Sequence, residues 1–167
     1  DPALSPRIPN SPGVRRYINI KRAFKTGFEL DWIQEFSKGF QHQMSLAYTY
    51  AQDLDRAEPL PEIAPFEIRY AIQGEFFKSR LFPEISLRYV ANQNRISAEF
   101  GETETPDFSL IDLKAAYQLN STFRFSAAVM NLLNVNYYEH LNRSVRVTGN
   151  PIFAQGRNFM VTCNINF

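Results

Sequence analysis

Apolar and polar residues alternate along most of this chain, in runs broken by turn-forming residues. From about Ala23 to Phe36, the residues Phe24, Phe28, Leu30, Trp32 and Phe36 share one parity with Thr26 and Gln34. Lys25, Gly27, Glu29, Asp31 and Glu35 take the other. A period of two places these sets on opposite faces of a β-strand, where a helix would need a period near 3.6. The pattern recurs from Phe40 to Ala51, from Phe66 to Phe77, from Pro83 to about Ala98, from Phe108 to Leu119 and from Phe123 to Asn131. The last stretch closes the chain, with Phe159, Val161, Cys163, Ile165 and Phe167 alternating with Met160, Thr162, Asn164 and Asn166. Seven strands are therefore predicted, with no helix. Val14 to Arg22 is a possible eighth, basic and extended, and residues 1–13 carry four of the ten prolines and read as irregular.

The connections sort by length. Short turns are predicted at 37–39, 78–82 and 120–122, and longer loops at 52–65, 99–106 and 132–155. Strict alternation puts every short turn at one end of an up-and-down sheet and every long loop at the other. Outer-membrane β-barrels have this asymmetry, whereas the Greek-key connections of a β-sandwich do not impose it.

Aromatic residues follow the same division. Phe36, Phe40, Phe76, Phe82, Tyr117, Phe123 and Phe167 lie beside short turns or at the chain end, and Tyr48, Tyr50, Phe66 and Phe108 lie at the other strand ends. Two rows of this kind suit the two interfaces of a membrane, where aromatic side chains anchor. The opposite faces carry Glu29, Asp31, Arg69, Arg88, Asp112, Lys114 and Arg124 at mid-strand and need water, as a polar lumen supplies. The predicted fold is thus an all-β, antiparallel, up-and-down transmembrane barrel. A soluble or periplasmic β-sandwich binding module and a small eight-stranded outer-membrane barrel are the alternatives.

Composition adds limits. The formal net charge is +1, which points to no nucleic-acid partner. Aromatics make up 14% of the residues, as 15 Phe, 8 Tyr and 1 Trp, and the two predicted rows take 11 of them. No apolar run approaches the ~18 residues of a membrane helix, but alternating strands escape that criterion. The first residues lack the apolar stretch of a signal peptide. Cys163 is the one cysteine, so no intrachain disulfide can form, and a lipid-facing thiol is expected to be inert.

Several stretches resemble the TonB-dependent outer-membrane receptors. They are Asn131-Leu132-Leu133-Asn134-Val135-Asn136-Tyr137-Tyr138, then Glu139-His140-Leu141-Asn142-Arg143, then Gly156-Arg157-Asn158-Phe159 before the terminal strand. Tyr17-Ile18-Asn19-Ile20, Gly27-Phe28-Glu29-Leu30, the loop Glu58-Pro59-Leu60-Pro61-Glu62-Ile63-Ala64-Pro65, Tyr89-Val90-Ala91 and Asp112-Leu113-Lys114-Ala115-Ala116-Tyr117 also fit. The resemblance implies a bacterial outer-membrane receptor for active uptake of a scarce nutrient, by default a ferric siderophore or other metal chelate. It implies a barrel of about 22 strands, a plug inside it, and the TonB complex as energy source. About seven strands, no plug and no TonB box are seen in this sequence. The expectation is a C-terminal fragment, with residues 1–22 an external loop and loop-proximal segment and 23–167 the last barrel strands.

Candidate sites follow from that orientation. Tyr137, Tyr138, His140 and Arg143 lie in the longest external loop and are the candidate ligand contacts, since binding residues favour such loops; loop packing and the upper aromatic row compete for the same side chains. Phe167, Phe159, Phe123 and Tyr117 are the candidate anchoring and assembly residues. For a terminal aromatic, the ring can sit among acyl chains while the carboxylate stays wet. Met44, Met130 and Met160 are scattered and read as packing or lipid contact rather than soft-metal ligands. No cofactor, metal cluster or catalytic residue is expected, and no enzyme activity. The expected partners are outer-membrane lipid, the nutrient and, through a plug, the TonB complex.

Overall fold

A computed structural model describes residues 19–142 and 150–166. Eight strands follow one another: β1 Ala23–Ser37, β2 Phe40–Asp53, β3 Glu58–Pro59, β4 Glu67–Gly74, β5 Leu81–Val90, β6 Phe108–Gln118, β7 Phe123–Met130 and β8 Asn158–Ile165. No helix occurs among the described residues. The two-residue β3 lies alongside the end of β2, and the other seven form an antiparallel meander in the order β1-β2-β4-β5-β6-β7-β8. Every long strand pairs with its sequence neighbour, and β1 and β8 are the two edges of the sheet.

Turn chemistry sets the registers. Lys38-Gly39 closes β1 on β2, and Gly39 has a φ of +78°, which glycine adopts at little cost. Between β4 and β5, Phe77, Lys78 and Ser79 all take left-handed conformations, with φ of 54°, 57° and 63°. The turn is clamped where Phe76 and Leu81 exchange backbone hydrogen bonds of 2.9 and 3.1 Å. Asn120 holds the β6–β7 turn by accepting from the Thr122 and Phe123 amides, both at 2.9 Å, as Asx turns do. The long connections lie at the opposite end, at 54–66, 91–107 and 131–157.

Two predicted boundaries are corrected. The alternation past Val90 suggested a fourth long strand reaching Ala98, but β5 stops at Val90, where its partner β4 begins at Glu67. Beyond that point one further hydrogen bond, from the Ala91 amide to the Phe66 carbonyl, ends the pairing, and the chain closes a loop through a Gln93–Thr105 bridge. In the proposed eighth strand, residues 14–18 lie outside the described residues and 19–22 are not extended strand.

The two faces differ as the parity predicted. Phe28, Leu30, Trp32, Leu46, Tyr48, Ile68, Ile72, Ile85, Leu87, Leu113 and Val129 share one face through direct cross-strand pairing. This outer face stays open: Phe159 and Val161 of β8 are 74% and 79% exposed. The inner face is joined by cross-strand polar contacts. Ser45 donates to Asp31 at 2.5 Å, and Glu84 accepts from Gln73 and from Lys114, each at 2.8 Å. The guanidinium of Arg124 lies over the Phe82 ring, 5.5 Å from its centre. Phe82 and Phe108 are therefore corrected from the aromatic rows to the inner face, where they pair with Ala116 and Val90. The hydrophobic core of the described chain is small and lies on that inner face, at the long-loop end: Val90, Phe108 and Leu110.

Candidate functional site

The site is built by the loop after β7. Asn131 and Asn134 adopt left-handed backbones, with φ of 51° and 55°, which asparagine tolerates better than most residues. The Asn131 amide donates to Asp112 Oδ1 at 2.7 Å, and its buried side chain clasps Val135, donating to the carbonyl at 2.9 Å and accepting from the amide at 2.8 Å. Asn134 Oδ1 accepts from the Arg157 amide at 2.9 Å, joining the outgoing and returning legs. Residue 156 is glycine because a Cβ there would stand 2.9 Å from the same oxygen. The family-like stretch beginning at Asn131 thus has a mechanical role: it turns the loop onto the inner wall.

Val135 and Tyr137 then cover the inner core, and the Tyr137 ring lies 4.5 Å from that of Phe108. The Ala154 amide donates to the Tyr137 carbonyl at 2.9 Å, holding the returning leg beside it. Burial pushes the Tyr137 phenol above its ordinary pKa of 10.0, and the Glu139 carboxylate adds to the rise while Arg88 opposes it. The phenol is therefore a proton-bearing donor at neutral pH.

Beside this contact, Arg88 projects inward from β5 between two carboxylates. It donates to Glu67 through Nε at 3.1 Å and Nη2 at 2.8 Å, and to Glu139 through Nη1 at 2.5 Å and Nη2 at 3.2 Å. Arg69 also pairs with Glu67. Such forked, charge-assisted contacts are stronger than neutral ones and fix geometry. One of them crosses from barrel wall to loop, so Arg88 latches the loop down.

His140 joins this loop to its neighbour. Its side chain is 3% exposed, with Nδ1 3.3 Å from Thr105 Oγ1 and Nε2 3.7 Å from Glu102 Oε1. Burial holds the imidazole below its ordinary pKa of 6.5, and the Glu102 carboxylate opposes that shift. Glu102 is occupied elsewhere too, accepting from the amides of Glu62 at 2.6 Å and Ser97 at 2.8 Å. All three long connections therefore meet around Glu102 and His140.

Of the loop candidates, Tyr137 packs on Phe108 of the inner wall, His140 lies against Thr105 and Glu102 of the neighbouring loop, Tyr138 packs edge-to-face on Phe153 at 5.6 Å, and Arg143 lies outside the described residues. Tyr117 and Phe123 sit on the outer face at the short-turn end, where they pair with Phe125 and Ile165. Phe159 sits on the outer face at the long-loop end, opposite Val129, and Phe167 lies outside the described residues. Arg88 and Glu67 carried a sequence signal only as members of a charged inner face, and Asn131 only as part of a resemblance. Among the described residues no group of three or more His, Cys, Asp or Glu side chains could hold a metal ion. A separate inner-face concavity of about 360 Å³ lies toward the short turns, lined in part by Phe82, Glu84, Lys114, Arg124, Ser126 and Ala128.

A family model described as "TonB dependent receptor-like, beta-barrel" matches residues 3–132. The chain belongs to this TonB-dependent receptor barrel family. It is part of an outer-membrane receptor and not an enzyme. Among solved structures, it is similar to the copper transporter OprC, with 25% identity and a TM-score of 0.78 over 87% of this chain and 24% of that one. The ferripyoverdine receptor FpvA of Pseudomonas aeruginosa aligns at 19% identity and a TM-score of 0.66, over 87% of this chain and 20% of that one. The ferric yersiniabactin receptor FyuA from Yersinia pestis aligns at 17% identity and a TM-score of 0.67, over 87% and 24%. The chain thus spans about a quarter or less of the length of these proteins, and its open sheet is an arc of a larger one. No curated protein matches the sequence.

Proposed function

We propose that this arc belongs to a receptor that takes up a metal chelate, by default a ferric siderophore, with TonB supplying energy through a plug seated against the inner wall. The observation that carries this reading is the β7–β8 loop, folded inward and latched by Arg88. Tyr137, Tyr138, His140 and Arg143 are the ligand-facing candidates. In this reading the ligand opens the latch by competing for Arg88, and the freed phenol and imidazole supply hydrogen bonds to it. The concavity bounded by Glu84, Lys114 and Arg124 faces the plug. Residues 1–22 form an external loop and its approach, and 23–167 are wall. The outer face meets lipid, with Phe167, Phe159, Phe123 and Tyr117 as anchors, and Phe167 also serves assembly.

A copper cargo is the second reading. It is favoured by the likeness to a copper transporter and by two thioethers on the inner face, Met130 opposite Asn158 and Met160 opposite Ala128 on the adjoining strand. Thioethers suit soft cuprous ions. The experiment is uptake by a receptor-deleted strain carrying the intact receptor, fed either labelled ferric chelates or copper. TonB-dependent accumulation of a ferric chelate, reduced by Arg88→Met or Tyr137→Ala, supports the first reading. Accumulation of copper alone, reduced by Met130→Leu with Met160→Leu, replaces it with the second.

A further inference from the structure

The polar contacts among the three long connections close on themselves. The circuit starts in 54–66, where the Glu62 amide donates to Glu102 Oε1 of 91–107 at 2.6 Å. The same oxygen stands 3.7 Å from His140 Nε2 of 131–157. On its other side His140 Nδ1 stands 3.3 Å from Thr105 Oγ1, back in 91–107. Thr105 and Gln93 exchange backbone hydrogen bonds of 2.9 and 3.1 Å. Gln93 Nε2 then donates to the Ile63 carbonyl at 2.9 Å, one residue from the starting point. Six residues from three loops thus form a ring in which each is held by the two beside it. Glu102 enters the ring from a tight turn. Its amide donates to the Ser97 carbonyl at 3.2 Å, its Oε2 accepts from the Ser97 amide at 2.8 Å, and Gly101 supplies the φ of +83° that the turn requires.

The ring is largely closed to water. Gln93, Ser97 and Thr105 are buried, and the Glu102 and His140 side chains are 12% and 3% exposed. A carboxylate oxygen only accepts, so the neutral imidazole turns its Nε2 proton toward Glu102 and accepts at Nδ1 from the Thr105 hydroxyl. Such a circuit has no cheap intermediate. Breaking one contact while the others hold leaves an enclosed donor or acceptor without a partner, which costs more than the contact itself was worth. Breaking them together lets water reach every group at once. The physics of the ring therefore favours all-or-none opening.

We propose that this ring makes the three long connections one cooperative gate, in which 54–66, 91–107 and 131–157 open as a single unit with Glu102 at its centre. A group that draws His140 away from Glu102 and Thr105 then loosens 54–66, a loop it need not touch. The coupling is a property of the loops and holds under either cargo reading, so its test needs no cargo.

The test is native-state hydrogen exchange on the intact receptor in mild detergent, followed at one amide in each loop. Glu62 donates to Glu102 Oε1, Gln93 to the Thr105 carbonyl and Ala154 to the Tyr137 carbonyl. In wild type, urea below the unfolding range should bring the three amides to one opening free energy with one slope, because they exchange through one event. Thr105→Val keeps the branched shape and the backbone bridge to Gln93 but removes the hydroxyl that meets His140. It should speed exchange at all three amides by a common factor of about five to ten, the worth of one buried hydrogen bond, and leave β6 amides unchanged. Glu62 is the deciding amide, since Thr105 reaches it only around the ring. Three distinct slopes in wild type overturn the gate, and that arm stands even where Thr105→Val fails to fold. Acceleration confined to one or two loops, or none at all, overturns it as well.

Discussion

Replacing Arg88 with methionine keeps much of the side-chain volume and removes the link between barrel wall and loop. Four hydrogen bonds to two carboxylates disappear, together with the guanidinium that lies 5.4 Å from the centre of the Phe108 ring. Removing one partner of a buried ion pair costs about 3–5 kcal/mol, because the remaining charge is stranded. Here the Arg88, Glu67 and Glu139 side chains retain 23%, 22% and 31% exposure, and Arg69 still serves Glu67, so about 2–3 kcal/mol is expected for loop docking. That corresponds to a roughly 30- to 150-fold larger opening equilibrium. Hydrogen exchange on the intact receptor reads this at the Val135 and Ala154 amides, whose acceptors are Asn131 Oδ1 and the Tyr137 carbonyl. Both should exchange faster by about that factor, while β6 amides stay unchanged. Arg88→Lys, which keeps the charge but not the fork, should fall between. Unchanged protection at Val135 and Ala154 in Arg88→Met would show that the loop is held by Tyr137 and its apolar neighbours and that the latch is incidental.

Three further outcomes are expected. Asn131→Ala strips the buried clasp on Val135 and should cost about 1–3 kcal/mol, seen as faster proteolytic cleavage within 131–157, with equal cleavage rates contradicting it. His140 has a lowered pKa in the fold, so the opened loop binds the proton more tightly. Docking should be complete above about pH 6.5 and weaken as pH falls below it, and His140→Gln should flatten that exchange-versus-pH profile. Leu113→Arg on the outer face should destabilise folding into lipid by about 2–4 kcal/mol, whereas Lys114→Arg on the inner face should change little; equal losses would invert or erase the assignment of faces.

The sheet was legible because period-two alternation and turn residues act locally. Phe24 through Phe36 and their partners in β2 needed only parity and the Lys38-Gly39 turn. Sequence reasoning failed where long-range pairing decides. The alternation beyond Val90 looked like strand, yet the ladder to β4 ends at Glu67, with one further hydrogen bond from the Ala91 amide to the Phe66 carbonyl. Phe108 looked interfacial by its position at a strand end, although its parity within β6 already placed it with Asp112 and Lys114 on the inner side. It is buried there because Tyr137 covers it, a contact across the β6–β7 hairpin that no local pattern encodes. The same holds for the site. The alternation assigns Arg88 and Glu67 to one face, but Glu139 reaches Arg88 only through the left-handed turns at Asn131 and Asn134. The meeting of His140 with Glu102 joins two loops whose paths depend on side-chain clasps rather than on periodicity.

The most direct test of an arc with a lipid-facing outer wall and a wet inner wall is a nitroxide scan along β6 of the intact receptor in bilayers, with Cys163 replaced by serine. Collision rates with oxygen, which concentrates in hydrocarbon, should rise at Ile111, Leu113, Ala115 and Tyr117. They should fall at Asp112, Lys114 and Ala116, where a water-soluble relaxation agent should reach instead. Rates that do not alternate, or that alternate in the opposite phase, would contradict the membrane-spanning orientation of the sheet.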